Sequence, residues 1–104
     1  MIRKDWLERL IEQLASVVRK AFGLAQQGDV EGALRLFEEL YRSLGVGRET
    51  LEKVDPATLA TMLGDRAEPV ALILTAEADV LAAAGRAADA KRLRTLAAQL
   101  ARRP

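Results

Sequence analysis

The stretch "LAQQGDVEGALRLFEELY" at residues 24–41 returns as "LAAAGRAADAKRLRTLAA" at residues 81–98. Six of the eighteen aligned positions are identical: Leu24/Leu81, Ala25/Ala82, Gly28/Gly85, Ala33/Ala90, Arg35/Arg92 and Leu36/Leu93. The identities have a physical order. Glycine ends one helix and turns the chain, because it takes the left-handed backbone of a helix end at little cost. The alanine five residues later is small, so the second helix can lie close to the first. The leucine three residues further on fills the space between them. Each copy therefore reads as an antiparallel helical hairpin, and two hairpins make the fold class all-α.

The rest of the chain agrees with this. Before the first glycine, Leu7, Leu10, Leu14, Val17, Ala21 and Leu24 recur at alternating spacings of three and four, with Ile11, Val18 and Ala25 widening the stripe. That pattern predicts an amphipathic helix of about twenty residues, with Asp5 as its N-cap and Glu8 completing a capping box. Asp29 is the expected cap of a second helix that ends at Gly45. Two short helices are predicted between the hairpins, "RETLEKV" and "DPATLATML". The latter has Asp55 as N-cap and Pro56 at the first helical position, where proline fits a helix best. Pro69 opens "PVALILTAEADVLAAAG", whose only polar residues are Thr75, Glu77 and Asp79. A helix apolar nearly all round is expected at the centre of a fold. The last helix begins near Ala87. Nothing alternates with the period of a strand. Residues 1–104 read as one domain of four main helices, with one or two short helices in the 46–64 connection.

Composition narrows the chemistry. The chain has no cysteine and no histidine, which removes disulfides, thiolate sites and the commonest general base and transition-metal ligand. Glu8 and Glu12 lie one turn apart on a polar face beside Arg9, and Glu38 and Glu39 are neighbours. Neither pair belongs to a set of four converging acids that a carboxylate metal site would need. "GVG" at residues 45–47 lacks the lysine and preceding strand of a phosphate loop, and Ser16 and Ser43 have no nearby base. The expectation is a non-enzyme without metal or cofactor. The opening "MIRKDWLERL" has no uninterrupted apolar region, which argues against a signal peptide, and the longest apolar run, residues 70–74, is far short of a membrane span. The cytoplasm is the default location.

"GDVEGALRLFEEL" resembles the turn and second helix of the tetratricopeptide repeat, with Gly28, Ala33 and Phe37 at matching spacings. The second copy keeps Gly85, Ala90 and Ala97 but has Arg94 where the aromatic stands. The copies lie 57 residues apart (85 minus 28) rather than about 34, and neither is followed by the usual proline. The resemblance thus implies tetratricopeptide-like hairpins without a regular array. "DWLERLIEQLA" at residues 5–15 resembles the opening of a small bacterial family of helical proteins with no assigned activity.

Partner binding is the expected function. Trp6 and Tyr41 are candidate contacts, since aromatics dominate interface hot spots, with burial in the core as their alternative. Glu77 and Asp79 interrupt the most apolar helix. They are expected at an exposed edge, or paired with Arg66 or Arg86, or as polar contacts in a partner groove. Leu7, Leu10, Leu14 and Val17 form a seam at near-heptad spacing, which predicts a homodimer through the first helix. The competing expectation is a monomer in which the short helices cover the remaining face. A different class of function rests on charge. Residues 86–104 carry six positive charges (Arg86, Lys91, Arg92, Arg94, Arg102 and Arg103) against one negative, while residues 29–68 carry five positive and nine negative. The basic tail is the candidate for nucleic acid or another anionic surface.

Overall fold

Two turns with the same hydrogen bonds organise the chain. In a computed structural model describing residues 3–102, Gly28 and Gly85 have φ of +87° and +84°. The Asp29 N–H donates to the Leu24 carbonyl and the Arg86 N–H to the Leu81 carbonyl, both at 2.8 Å. Gly28 N–H donates to Ala25 at 3.0 Å and Gly85 N–H to Ala82 at 3.1 Å. This is the paired-bond helix ending that requires a left-handed residue. Three of the six repeated identities, Leu24/Leu81, Ala25/Ala82 and Gly28/Gly85, are its acceptors and its turning residue. A third helix ends the same way at Gly45, where Val46 N–H reaches the Tyr41 carbonyl at 3.0 Å.

The elements are α1 (Arg3–Gln26), α2 (Val30–Ser43), α3 (Arg48–Lys53), α4 (Pro56–Leu63), a single 3-10 turn (Gly64–Arg66), α5 (Ala67–Ala83) and α6 (Ala87–Ala101). The fold is all-α, with four main helices and two short ones. Asp29 and Asp55 cap α2 and α4 through bonds from Gly32 N–H at 2.9 Å and Thr58 N–H at 3.2 Å. The Thr58 bonds hold the Asp55 carboxyl below its ordinary range. Two boundaries differ from expectation. Helix α1 begins at Arg3, so Asp5 sits in its first turn, where a carboxylate suits the helix dipole. Helix α5 begins at Ala67, because the 3-10 turn leads directly into it and Pro69 falls inside the first turn.

α1 packs against α2 and α5 against α6 as hairpins, and the hairpins meet where α1 and α2 both touch α5. α4 folds back onto α6. The molecule measures 39 × 29 × 19 Å, and its thinnest dimension is close to two helix diameters of about 10 Å. Phe37, Leu59, Val70, Ile73, Leu74, Val80 and Leu100 are fully buried. Ala33 and Ala90, the small residues of the repeat, are also buried, at 0% and 1% exposure. As its composition predicts, α5 is the central helix. Its exposed residues form one line through Glu68, Leu72, Thr75 and Asp79, which widens to Ala82 and Ala83 at the helix end.

Arg66 joins two helix ends. Its guanidinium donates to the Leu44 carbonyl at 2.6 Å and to the Leu63 and Met62 carbonyls at 3.3 and 3.2 Å. Those carbonyls lie at or beside helix ends, where the backbone leaves acceptor capacity for a side-chain donor.

The turns make a stability prediction. Gly28→Val and Gly85→Val should each lower stability by about 1–2 kcal/mol. Open space surrounds both α-carbons, so the cost is that of the backbone angle and not of a clash. Urea midpoints measure it, and unchanged midpoints would contradict the turn geometry.

Candidate functional site

Packing of α2 against α5 brings two polar side chains together inside an apolar core, and α3 adds a third. Tyr41, at the end of α2, is 1% exposed, and Glu77, in the middle of α5, is also 1% exposed. The Tyr41 hydroxyl donates to Glu77 Oε1 at 2.7 Å. Arg48, the first residue of α3, donates through Nη2 to Glu77 Oε2 at 3.0 Å. Its Nε lies 3.5 Å from Glu38 Oε2, and the guanidinium sits over the Tyr41 ring, 5.7 Å from the centroid. Both Glu77 oxygens are thus satisfied, and no buried side-chain polar atom among the described residues lacks a partner.

The electrostatics follow from burial. Desolvation, with the neighbouring Glu77 charge and hydrogen bond, pushes the Tyr41 hydroxyl well above its ordinary value. Burial alone would lower the Arg48 guanidinium, but the Glu77 carboxylate outweighs it and the net shift is upward. Glu77 is therefore held between a hydroxyl that keeps its proton and a cation that keeps its charge. A group whose folded pKa is raised contributes stability below its unfolded value and loses it above. Stability should therefore fall as pH rises beyond about 10, the ordinary tyrosine value. Tyr41→Phe should be less stable at neutral pH, by about 1–3 kcal/mol, because it strands a buried carboxylate oxygen, and should lack this part of the alkaline loss. Urea midpoints against pH for both chains measure the difference. Tyr41 is the chain's one tyrosine, so the near-ultraviolet phenolate band reports its ionisation directly.

Two grooves open on either side of α6. The first, of about 860 Å³, runs between the start of α1, the first half of α5 and the end of α6. Trp6 and Leu72 stand at its surface, 41% and 45% exposed, and Ala71, Ala97, Ala98 and Ala101 line it. Asp65, Arg66 and Glu68 line it around the start of α5, and Arg94, bonded to Asp79 further along that helix, lines it from α6. The second groove, of about 990 Å³, lies between α2, α3 and α6, with Glu77 among its lining residues. Its charged lining is balanced: Arg35, Arg48, Arg86, Lys91 and Arg92 face Glu31, Glu38, Glu52, Glu77 and Asp89.

The predicted residues divide between these places. Trp6 is exposed at the first groove. Tyr41 and Glu77 meet in the buried network. Leu10 is 5% exposed and packs in the chain's own core, with Leu7, Leu14 and Val17 against it. The heptad-like seam is therefore used within the chain, where α1 meets α2 and α5. Glu77 pairs with Arg48 and not with Arg66 or Arg86, because Arg66 serves helix-end carbonyls and Arg86 lies exposed at the α5–α6 turn. Asp79 does sit at an exposed edge, bonded to Arg94 at 2.9 Å. Arg92 pairs with Asp89. Lys91 and Arg102 are exposed, and Arg103 lies outside the described residues.

Sequence reasoning missed Arg48 and Leu72. Arg48 carries no signal, being one cation at the start of a short helix, 29 residues from its partner. Leu72 had one: it stands between Glu68 and Thr75 at helical spacing, on the only polar line of α5. Among the described residues no three acids are placed to hold a metal ion, and no helix is long and apolar enough to cross a membrane. No protein-family model, no curated protein and no solved structure matches this chain.

Proposed function

We propose that this chain is a non-enzymatic protein–protein interaction module of the cytoplasm, and that the first groove is its binding surface. One observation carries this. The chain exposes four large hydrophobic side chains, Trp6, Ile11, Met62 and Leu72, among the described residues, and two of them stand on one alanine-lined groove. Isolated exposed apolar residues are ordinary, whereas adjacent ones around a hollow are what interfaces use. The sequence resemblance to tetratricopeptide hairpins agrees with an interaction role.

Binding of nucleic acid or another anionic surface is less well supported. Two of the basic residues of α6, Arg92 and Arg94, are paired with Asp89 and Asp79. The groove beside Lys91 and Arg86 carries as many acids as bases.

The test compares capture from the native host by the wild-type chain and by Leu72→Glu. Leu72 is half exposed, so the variant should fold, which circular dichroism checks. A protein retained by the wild type and lost from the variant supports the module. Equal capture by both, or a bound species that dissociates steeply with salt as phosphate contacts do, counts against it.

A further inference from the structure

Resting on the interaction-module function proposed above, we infer that the partner at the first groove is a second copy of this chain, docked about a two-fold axis near Leu72. The surface carries both a projection and a receptacle. Trp6 stands out from the start of α1, and the hollow beside it is floored and walled by alanines of α5 and α6. In a two-fold contact the same patch is used twice, so it must be complementary to itself. A large aromatic beside a small-residue hollow meets that condition: each Trp6 can enter the hollow of the other copy.

Charge meets the same condition. Glu68 lies near the start of α5, one turn before Leu72, and has no partner among the described residues. Arg94 lies past Leu72 in the other direction, beside Thr75 and bonded to Asp79. A guanidinium has five N–H donors, and Arg94 gives one of them to Asp79. A two-fold axis at Leu72 exchanges the ends of the groove, which brings each Glu68 to the Arg94 of the other copy. The apolar contact would supply affinity and the two charge pairs the orientation. Because Leu10 is buried and Leu7, Leu14 and Val17 pack against the chain's own core, this contact differs from a coiled coil of first helices.

Sedimentation equilibrium over a range of concentrations tests the pairing, with circular dichroism confirming that each chain is folded. The wild type should pass from monomer to dimer as concentration rises, and Trp6 emission should shift to the blue in step. Leu72→Glu should weaken dimerisation by about tenfold or more. Glu68→Arg alone places like charges together at both ends of the contact, and so does Arg94→Glu alone. Each variant should be monomeric where the wild type dimerises. Mixed, the two should form a heterodimer. The arginine introduced in one chain then meets the glutamate introduced in the other, and the native Arg94 of the first meets the native Glu68 of the second. An ion pair within one chain could not behave this way. A wild type that stays monomeric throughout overturns the inference. So does a dimer that Leu72→Glu and the charge variants leave intact. Capture of a different host protein that depends on Leu72, by a monomeric chain, would keep the module and discard the self-pairing.

Discussion

Glu77→Ala is expected to lower the stability of this chain by about 3–5 kcal/mol, the usual cost of removing one partner from a buried ion pair. The loss has separable parts. The Tyr41 hydroxyl, 1% exposed, is left without an acceptor, and an orphaned buried donor costs about 1–3 kcal/mol. The Arg48 guanidinium loses its shortest contact. Its side chain is 27% exposed, so it can turn towards water and recover part of its solvation. A cavity the size of the lost carboxylate and one methylene remains in the middle of α5. A domain of this size has about 5–15 kcal/mol in total, so the loss should be plain in a urea midpoint. Its counterpart is an apolar replacement of all three groups, Glu77→Leu, Arg48→Met and Tyr41→Phe. No charge or hydroxyl is then stranded, and stability should return to near the wild-type value. A triple variant as unstable as Glu77→Ala would show that the packing around α5, and not the stranded polar groups, governs the loss.

Phe37→Ala is expected to cost about 3–5 kcal/mol. Phe37 is 0% exposed, in the core where α2 packs between α1 and α5. The two copies of the repeat diverge at this position, because Arg94 occupies it in the second hairpin. Arg94 is half exposed, and its one ion pair, with Asp79, is at the surface. Arg94→Ala should therefore cost well under about 1 kcal/mol. Urea unfolding of the two variants makes the comparison, with the slope of the transition expected to stay constant. Similar losses in both would mean that the hairpins bury this position alike, contrary to the structure.

The difference between Phe37 and Arg94 shows what the sequence could and could not reveal. Helices, turns and the central place of α5 were legible because they depend on neighbours in the chain. Gly28, Gly45 and Gly85 mark helix ends by backbone angle, and an apolar surface on all sides requires burial. The seam of α1 was legible as apolar but not as to its occupant. A stripe of leucines looks the same whether a partner chain or α5 covers it, and Leu10 is covered from within. The Glu77 network was half legible. A carboxylate in an apolar helix demands a partner, but the choice among sixteen basic residues depends on where α3 lands. That placement follows from the helix end at Gly45 and from the Arg66 bonds to Leu44, Met62 and Leu63, which no local pattern encodes.

Burying a charge in α5 has one more consequence. A helix coated in hydrocarbon on nearly every side, with one narrow polar line through Glu68, Thr75 and Asp79, is set in rotation by that line but only loosely set along its axis. Sliding it by one turn would bury nearly the same apolar area among the leucines and alanines around it. Glu77 removes that degeneracy. Only one setting brings its carboxylate to both Tyr41 and Arg48, and every other leaves an ion in oil, at a cost larger than any gain in packing. The triple apolar variant should then be stable yet less singular, with several α5 settings close in energy. Its amide resonances should broaden or multiply where those of the wild type are sharp. In this chain one acidic residue would serve as a pin that selects a single native arrangement from several of similar energy.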